Sequence, residues 1–444
     1  MDIVAQRGQP ARGFTLPKPT RRERWAWYFY DFGNSAYAAV VLLAVYSAYF
    51  KQTVVGGAEG SRYWGFSIGI AMLVVALISP VLGALADFSA TKKRVLLVFT
   101  TIAVIFTAML FFVQQGDIFI GMLFFILAEI GYRGGQVFYN ALLPDIAEPD
   151  QMGRVSGNGW AIGSFGGIVC LGIVLALILT VEGVFVIRIA FLITAGFYAV
   201  STLPVFLFVR ERAQPQVLPP GETYLSVSMK KLWRTFQEAR QYREFIKFLA
   251  AFLIYNNGIM MILDFAAIIG AVLYGMTQQQ LIVFMMIVQV TSVIGAFTFG
   301  WLTQRAGGRT ALFLALALMV LTVGLLTFVN SLAMFNVIGA LAGFALTGVQ
   351  SVSRTIVGQI SPAAKAGEFY GLFSVAGQIS NFTGPALYGL LATALALRFY
   401  EPRGFQPYAA EAAGLETALA AVIAFLLLGV FMLFSVRKWR RGEG

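Results

Sequence analysis

Residues 83–94 read Gly83-Ala84-Leu85-Ala86-Asp87-Phe88-Ser89-Ala90-Thr91-Lys92-Lys93-Arg94. A glycine, an acid and three successive cations stand between two long apolar stretches, 63–87 and 95–114. Each stretch is close to the roughly 20 residues that a helix needs to cross hydrocarbon, so the segment reads as a tight polar turn between two spans. Working outward, further stretches of this kind occur near 26–50, 117–141, 157–180 and 184–209, and then near 245–272, 278–303, 310–329, 331–357, 367–397 and 415–436. With 444 residues, 59% apolar and only 12% charged, and a mean hydropathy of +0.78, the chain is too apolar for a soluble protein. Soluble surfaces of this size need about 25% charged residues. Lipid is its solvent, and the fold class is an all-α membrane protein of twelve transmembrane helices.

Charge orders the spans. Of the 32 lysines and arginines, only Lys51, Arg62, Arg398 and Arg403 fall in one set of alternate loops, and Arg133, Arg188 and Arg354 lie within or at the edges of spans. The rest gather in 1–24, 92–94, 210–247, 305–309 and 437–444, with Arg154 and Lys365. Basic loops stay on the cytoplasmic side. Both termini are therefore expected in the cytoplasm, with the chain integral to a plasma membrane, the bacterial inner membrane. The net charge of +11 is a topology signature, and no nucleic-acid partner is expected. Residues 1–24 lack the short apolar core of a cleaved leader, so the first span is expected to do the targeting. Histidine is absent and Cys170 is the single cysteine, which removes imidazole relays, His metal sites, imidazole-based triads and an internal disulfide. No cofactor or metal is expected. Gly65-Phe66-Ser67-Ile68-Gly69 matches a nucleophile elbow, but it sits inside a helical span without a histidine, so an enzyme is not expected.

The chain repeats itself. Tyr30-Asp31-Phe32-Gly33 opens one half and Tyr255-Asn256-Asn257-Gly258 the other. Gly83-x-Leu85 recurs as Gly300-x-Leu302, and Gly134, Gln136, Gly153, Gly157 and Gly163 recur at one spacing as Gly348, Gln350, Gly367, Gly371 and Gly377. Parallel repeats of this kind are a mark of transporter folds. The expected organisation is a cytoplasmic segment 1–24, a six-helix bundle 25–209, a cytoplasmic linker 210–244, a second six-helix bundle 245–436 and a tail 437–444. In the linker, Leu232, Trp233 and Phe236 alternate with Lys230, Lys231, Arg234 and Arg240, which suits a helix lying on the membrane surface.

The 83–94 turn resembles the major facilitator loop signature, Gly-x-Leu-Ala-Asp followed by a basic cluster. Gly83 lets two helices approach, and Asp87, near the negative end of its own helix, needs a cation or a second helix N-terminus. Gly83, Asp87, Arg94 and, in the second copy, Arg305 are thus gating candidates, the alternative being a purely topological basic loop. The second copy carries Gln304 in place of the acid, so a charged latch belongs to one half only. The block Trp25-Ala26-Trp27-Tyr28-Phe29-Tyr30-Asp31-Phe32-Gly33-Asn34-Ser35 resembles the opening of the autophagy-related vacuolar effluxer family and its bacterial "unknown major facilitator" relatives. That resemblance implies two six-helix halves in the major facilitator fold and transport of amino acids, outward.

The polar residues inside spans carry the remaining chemistry, because a charge at mid-membrane costs about 2.5–3.5 kcal/mol and must face protein or water. Asp31, with Tyr28 and Asn34, lies early in the first span; it is either a substrate or coupling group or a structural acid near the inner interface. Glu129 and Arg133 are four apart on the fourth span, with Gln136 one turn on, and Glu129 lies about 18 Å past the helix start. The pair reads as a switchable coupling element, or as a fixed salt bridge. Asn256, Asn257 and Gly258 suggest a locally opened seventh helix that offers hydrogen bonds to a solute. Asp264 sits nearer the outer face, where hydration at the rim is the alternative. Gln350 and Arg354 complete the set, Arg354 with a snorkelling alternative. Gly159, Gly163 and Gly167 build a smooth face for helix packing, and Gly384-Pro385 is a candidate hinge.

Together these features predict an alternating-access carrier, acting as a monomer in contact with membrane lipid, for a small-molecule polar or zwitterionic solute such as an amino acid, with protons coupled through Glu129 or Asp31. The rival readings are a lipid or lysophospholipid translocase and a non-transporting membrane sensor or assembly factor.

Overall fold

A computed structural model describes residues 19–88, 91–148, 151–181, 183–212, 221, 223–328, 331–361 and 366–437. The described residues form helices and turns, with no strand among them. Helix α1 (Arg21–Val55) starts at a capping box in which the Thr20 backbone N–H donates to Glu23 Oε2 at 2.8 Å and Glu23 N–H to Thr20 Oγ1 at 3.3 Å. It widens twice into π-helical segments, Ala38–Ala44 and Phe50–Val55. Then come α2 (Glu59–Phe88), α3 (Lys92–Met109), α4 (Ile118–Ala141), α5 (Met152–Thr180) and α6 (Val184–Phe208). A linker helix, Tyr224–Ala239, leads to α7 (Arg243–Leu273).

Eleven of the described helices are long and apolar enough to cross a membrane. One of them, Gln278–Leu326, has 49 residues and would extend about 74 Å, more than twice the hydrocarbon thickness. Gly307 breaks it with φ 84° and ψ 156°, a conformation that costs glycine little and other residues much. It is therefore two spans, α8 (278–306) and α9 (308–326), and with α10 (Leu332–Ile360), α11 (Ala366–Leu395) and α12 (Pro407–Leu433) the spans number twelve. Phe119, Leu207, Phe297 and Phe431 are each at least 70% exposed, which only a lipid surround makes favourable.

The sequence repeat is a structural repeat. A Cβ on Gly33 would lie 2.7 Å from Ser201 Cβ on α6, and one on Gly258 would lie 3.0 Å from Val422 O on α12, so matched glycines seat the first helix of each half against the last. Matched acids do the same at one end of the bundle. Glu23 accepts from Arg210 N–H at 3.2 Å, and Glu244 from Arg437 N–H at 2.6 Å.

Among the described residues the polar contacts between the two halves lie at one end and at mid-depth. At that end α2 abuts α11 so closely that a Cβ on Gly65 would lie 2.5 Å from Pro385 O, and one on Gly389 2.5 Å from Ser61 O. Trp64 Nε1 donates to Asp264 O at 2.9 Å, Thr393 Oγ1 to Ala58 O at 2.9 Å and Gln278 Nε2 to Ala44 O at 3.0 Å. Lys51 on α1 forms a buried ion pair with Glu411 on α12, and at mid-depth Gln289 Nε2 on α8 donates to Ser164 O on α5 at 3.2 Å. Toward the opposite end no hydrogen bond or ion pair joins the two halves among the described residues. The cleft is thus closed at the end holding the α1–α2 turn and open at the end holding the linker. The linker helix packs against both α2 and α11, and Met229, Trp233 and Phe236 are exposed along it.

One packing prediction follows. Gly65→Leu inserts a side chain where Pro385 O already stands and should prevent this closed end from forming. A cysteine at Ala58, at most 8% exposed here, should then label with a membrane-impermeant maleimide at least several-fold faster than in the parent. Equal labelling rates would show that the α2–α11 contact does not seal the cleft.

Candidate functional site

On α4, Gly131 and Gly134 face α3 and the charges face inward. A Cβ on Gly131 would lie 2.5 Å from Ala103 N, so α4 packs tightly on α3 along its glycine stripe. The opposite face presents Glu129 and Arg133, whose side chains meet with Arg133 Nε donating to Glu129 Oε1 at 2.8 Å. Glu129 is fully buried and its other oxygen, Oε2, has no hydrogen-bond partner. The buried hydroxyl of Tyr37 on α1 also has none of good geometry, and it lies within electrostatic reach of Glu129. Arg133, whose side chain is 26% exposed, lies over the Tyr132 ring at 5.1 Å and also feels Asp264 across the cleft on α7. Arg133 is thus paired with Glu129 on its own helix, while Asp264 of the other half lies within electrostatic range of it without a salt bridge. A buried acceptor such as Glu129 Oε2 costs about 1–3 kcal/mol unless a donor satisfies it, and the Tyr37 hydroxyl is the donor placed beside it.

Asp264 is 8% exposed beneath Trp64, which removes the rim-hydration reading: closure of α2 over α7 covers it. The expected opening of α7 is also overturned. The helix is continuous from Arg243 to Leu273, and Asn257 bonds within it, Nδ2 donating to Leu253 O at 2.7 Å while Oδ1 accepts from Thr383 on α11 at 2.6 Å. Gly258 is there for the close approach to α12, not to open the helix. Asn256 accepts from Gln350 at 3.0 Å, which ties α7 to α10. The irregular backbone lies instead in α1, whose π-helical segments neither glycine nor proline announces.

Asp31 is half-buried. Asn34 Nδ2 donates to its Oδ1 at 3.4 Å, and the smooth face of α5 passes directly over it, since a Cβ on Gly163 would lie 2.4 Å from Asp31 Oδ2. Gly159 meets Trp27 in the same way, so the α5 glycines do pack against α1. Tyr28 is buried among Trp25 and Trp27, and Gln136 is half-buried one turn beyond Arg133. Arg354 is exposed and is not drawn to the charged cluster. Between the halves lies a cavity of about 330 Å³, lined by Ser35, Ser164, Gln289, Ser292 and Thr347 among apolar side chains of α1, α5 and α7–α10. Small-molecule sites run from about 300 to 1,000 Å³.

The gating candidates fare unevenly. Gly83 borders the open end, Arg94 is exposed, Arg305 stacks on Trp301 at 4.7 Å, and the Asp87 side chain lies outside the described residues. A network absent from the sequence reading occupies this end. Lys92 Nζ pairs with buried Asp145 at 3.1 Å, Arg212 N–H donates to Asp145 Oδ1 at 2.5 Å, and Arg212 Nη2 donates to Glu23 Oε2 at 2.9 Å. Glu211 caps α3 through the N–H groups of Lys92 and Lys93 at 3.1 and 2.9 Å. The start of the linker is thereby clamped to α1, α3 and the α4–α5 connection.

Twelve spans in two repeated halves, around a cleft open at one end, define a transporter of the major facilitator type. The chain belongs to the family described as "Vacuole effluxer Atg22 like", whose pattern matches residues 61–395. It is 28% identical over 385 residues to the uncharacterized MFS-type transporter YxiO of Bacillus subtilis (strain 168), covering 84% of this chain and 89% of that one. It is 22% identical over 402 residues to autophagy-related protein 22 of Coccidioides immitis (strain RS), covering 73% of this chain and 66% of the fungal protein. The chain is similar in fold to a bacterial homolog of the human lysosomal transporter Spinster in an inward-facing and unoccupied conformation, with a TM-score of 0.71, 16% identity, and coverage of 95% of this chain and 98% of that one.

Proposed function

We propose that the protein exports small polar or zwitterionic solutes, amino acids foremost, by alternating access across a bacterial inner membrane, in exchange with or driven by protons bound at Glu129 or Asp31. The observation that carries this reading is the Glu129–Arg133 pair with Asp264 opposite. A zwitterion offers a carboxylate to Arg133 and an ammonium to either acid, so it can replace the protein's own pairing. As the halves rock, the guanidinium can trade partners between them, which links occupancy to the opening of the cleft. Support also comes from the family membership.

The test is thermal unfolding of the purified protein against a metabolite panel, since a ligand that binds the folded state raises the midpoint. A zwitterion that stabilises the parent and loses its effect in Arg133→Gln supports the reading. Stabilisation by lysophospholipid alone would favour a lipid translocase on the same scaffold.

Two further expectations attach to this proposal. Epitope tags at both termini and within 213–223 should be cytoplasmic, and one within 399–413 external; protease access to the 213–223 tag from outside sealed cells would invert the arrangement. Asp87→Asn should slow turnover severalfold while solute binding is unchanged, because it touches a gate and not the cavity. Parental turnover in Asp87→Asn would reduce the 83–94 turn to a topology element.

A further inference from the structure

We infer that Asp31, Asn34 and Ser35 on α1, facing Gly163 on α5, form a site for a monovalent metal cation such as Na⁺, separate from the Glu129–Arg133 pair. The three residues occupy positions i, i+3 and i+4, so their side chains share one face of the helix. All offer oxygen, the donor that hard cations select.

Three observations point to a cation. No salt bridge reaches the Asp31 carboxylate among the described residues; the arginine of the first half's mid-region, Arg133, is engaged by Glu129. An acid at this depth without a cation is costly, and it stands ten residues into α1, about 15 Å from its start. Second, Asn34 is only 1% exposed, and its amide oxygen is buried without a donor. In the structure its Nδ2 donates to Asp31 Oδ1 at 3.4 Å; half a turn of the amide would put the oxygen there instead, where two oxygens repel unless a cation stands between them. Third, Asp31 Oδ2 and Ser35 Oγ both converge on the space over Gly163, where a Cβ would lie 2.4 and 2.9 Å from them. The two oxygens fill that place themselves, so any larger residue at 163 would push them apart. The hydroxyl of Tyr139, buried and without a partner, lies within electrostatic reach of Asp31 and adds a further neutral oxygen nearby.

The charge count selects the ion. A single carboxylate among neutral oxygens balances one positive charge, and no cluster of three or more acidic, His or Cys ligands suited to a divalent metal occurs among the described residues. The location gives the ion a role. Ser35 also lines the cavity between the halves, and α1 turns π-helical at Ala38, three residues later. An ion holding α1 to α5 here would act on both the solute site and the irregular part of the helix, as coupling ions do near the midplane of secondary transporters. This assignment does not depend on which solute is carried, and it leaves the proton to Glu129.

The test is the thermal unfolding midpoint of the full-length purified protein in NaCl, KCl or choline chloride at equal ionic strength and fixed pH. The midpoint should rise saturably with Na⁺ and far less with K⁺ or choline, following the logarithmic dependence of single-site binding. Asp31→Asn and Gly163→Ala should abolish the rise, and Ser35→Ala, which keeps the charge, should raise the half-saturating Na⁺ concentration severalfold. Glu129→Gln should keep the Na⁺ response. Identical midpoints in the three salts would overturn the site, as would an undiminished Na⁺ response in Asp31→Asn or, should that variant not fold, in Ser35→Ala and Gly163→Ala. A midpoint that follows pH but not Na⁺ would assign Asp31 to a proton and overturn the metal site equally.

Discussion

Arg133→Gln should be the most damaging single change in the first half, lowering stability by about 3–5 kcal/mol, because it strands a fully buried carboxylate at Glu129. Glu129→Gln should cost distinctly less. Its partner guanidinium is 26% exposed and still has Asp264 within electrostatic reach, so the charge left behind is neither fully desolvated nor alone. The double variant Glu129→Gln, Arg133→Gln should recover much of the loss, and adding Asp264→Asn should recover more, since that acid is otherwise left without its cation. Unfolding midpoints and yields of folded protein across this series check the order. If Glu129 also couples protons, stability and activity part company: the double variant should fold and exchange solute yet lose accumulation driven by a pH gradient, with Asp31→Asn run beside it because that acid is the alternative proton site. Equal cost for the two single variants would mean that Asp264 does not share Arg133.

The second large effect is expected at the closed end. Lys51 and Glu411 pair with side chains 4% and 5% exposed, one from each half, so the bond must break whenever that end opens. Lys51→Ala leaves Glu411 buried and uncompensated in the closed state and free to hydrate in the open one. The closed state should lose about 3 kcal/mol or more, which is over a hundredfold in the conformational equilibrium. A cysteine at Ala58 or Thr393 should then label from outside at a rate near that of an exposed thiol, and buried Cys170 is the one native thiol to control for. Swapping the charges, Lys51→Glu with Glu411→Lys, should restore protection. Protection in Lys51→Ala equal to the parent's would show that the α2–α11 contact alone holds the end shut.

Much of the fold was legible because membrane helices announce themselves by length and apolarity, and because the repeat brings matched glycines to matched jobs, Gly33 against α6 and Gly258 against α12. The Glu129–Arg133 pair was legible because four residues along a helix is a contact. What sequence concealed was of three kinds. Lys51 and Glu411 are 360 positions apart, and nothing local in either helix points to the other. The clamp of Lys92, Asp145, Glu211, Arg212 and Glu23 assembles from four separate segments, so no local pattern announces it. The irregular helix was sought in α7, where Asn257 turned out to bond its own turn, and was found in α1, whose Ala38–Ala44 and Phe50–Val55 carry no glycine or proline.

The measurement that reaches the central claim most directly is solute flux in sealed proteoliposomes under an imposed pH gradient, with labelled amino acids and a fluorescent lysophospholipid offered in parallel to the parent and to the Glu129→Gln, Arg133→Gln variant. The parent should move a zwitterionic amino acid against its concentration gradient and collapse to equilibration when the pH gradient is abolished, and the variant should equilibrate solute without accumulating it. Redistribution of the lipid with no movement of any amino acid, or gradient-driven accumulation that survives in the variant, would contradict the account.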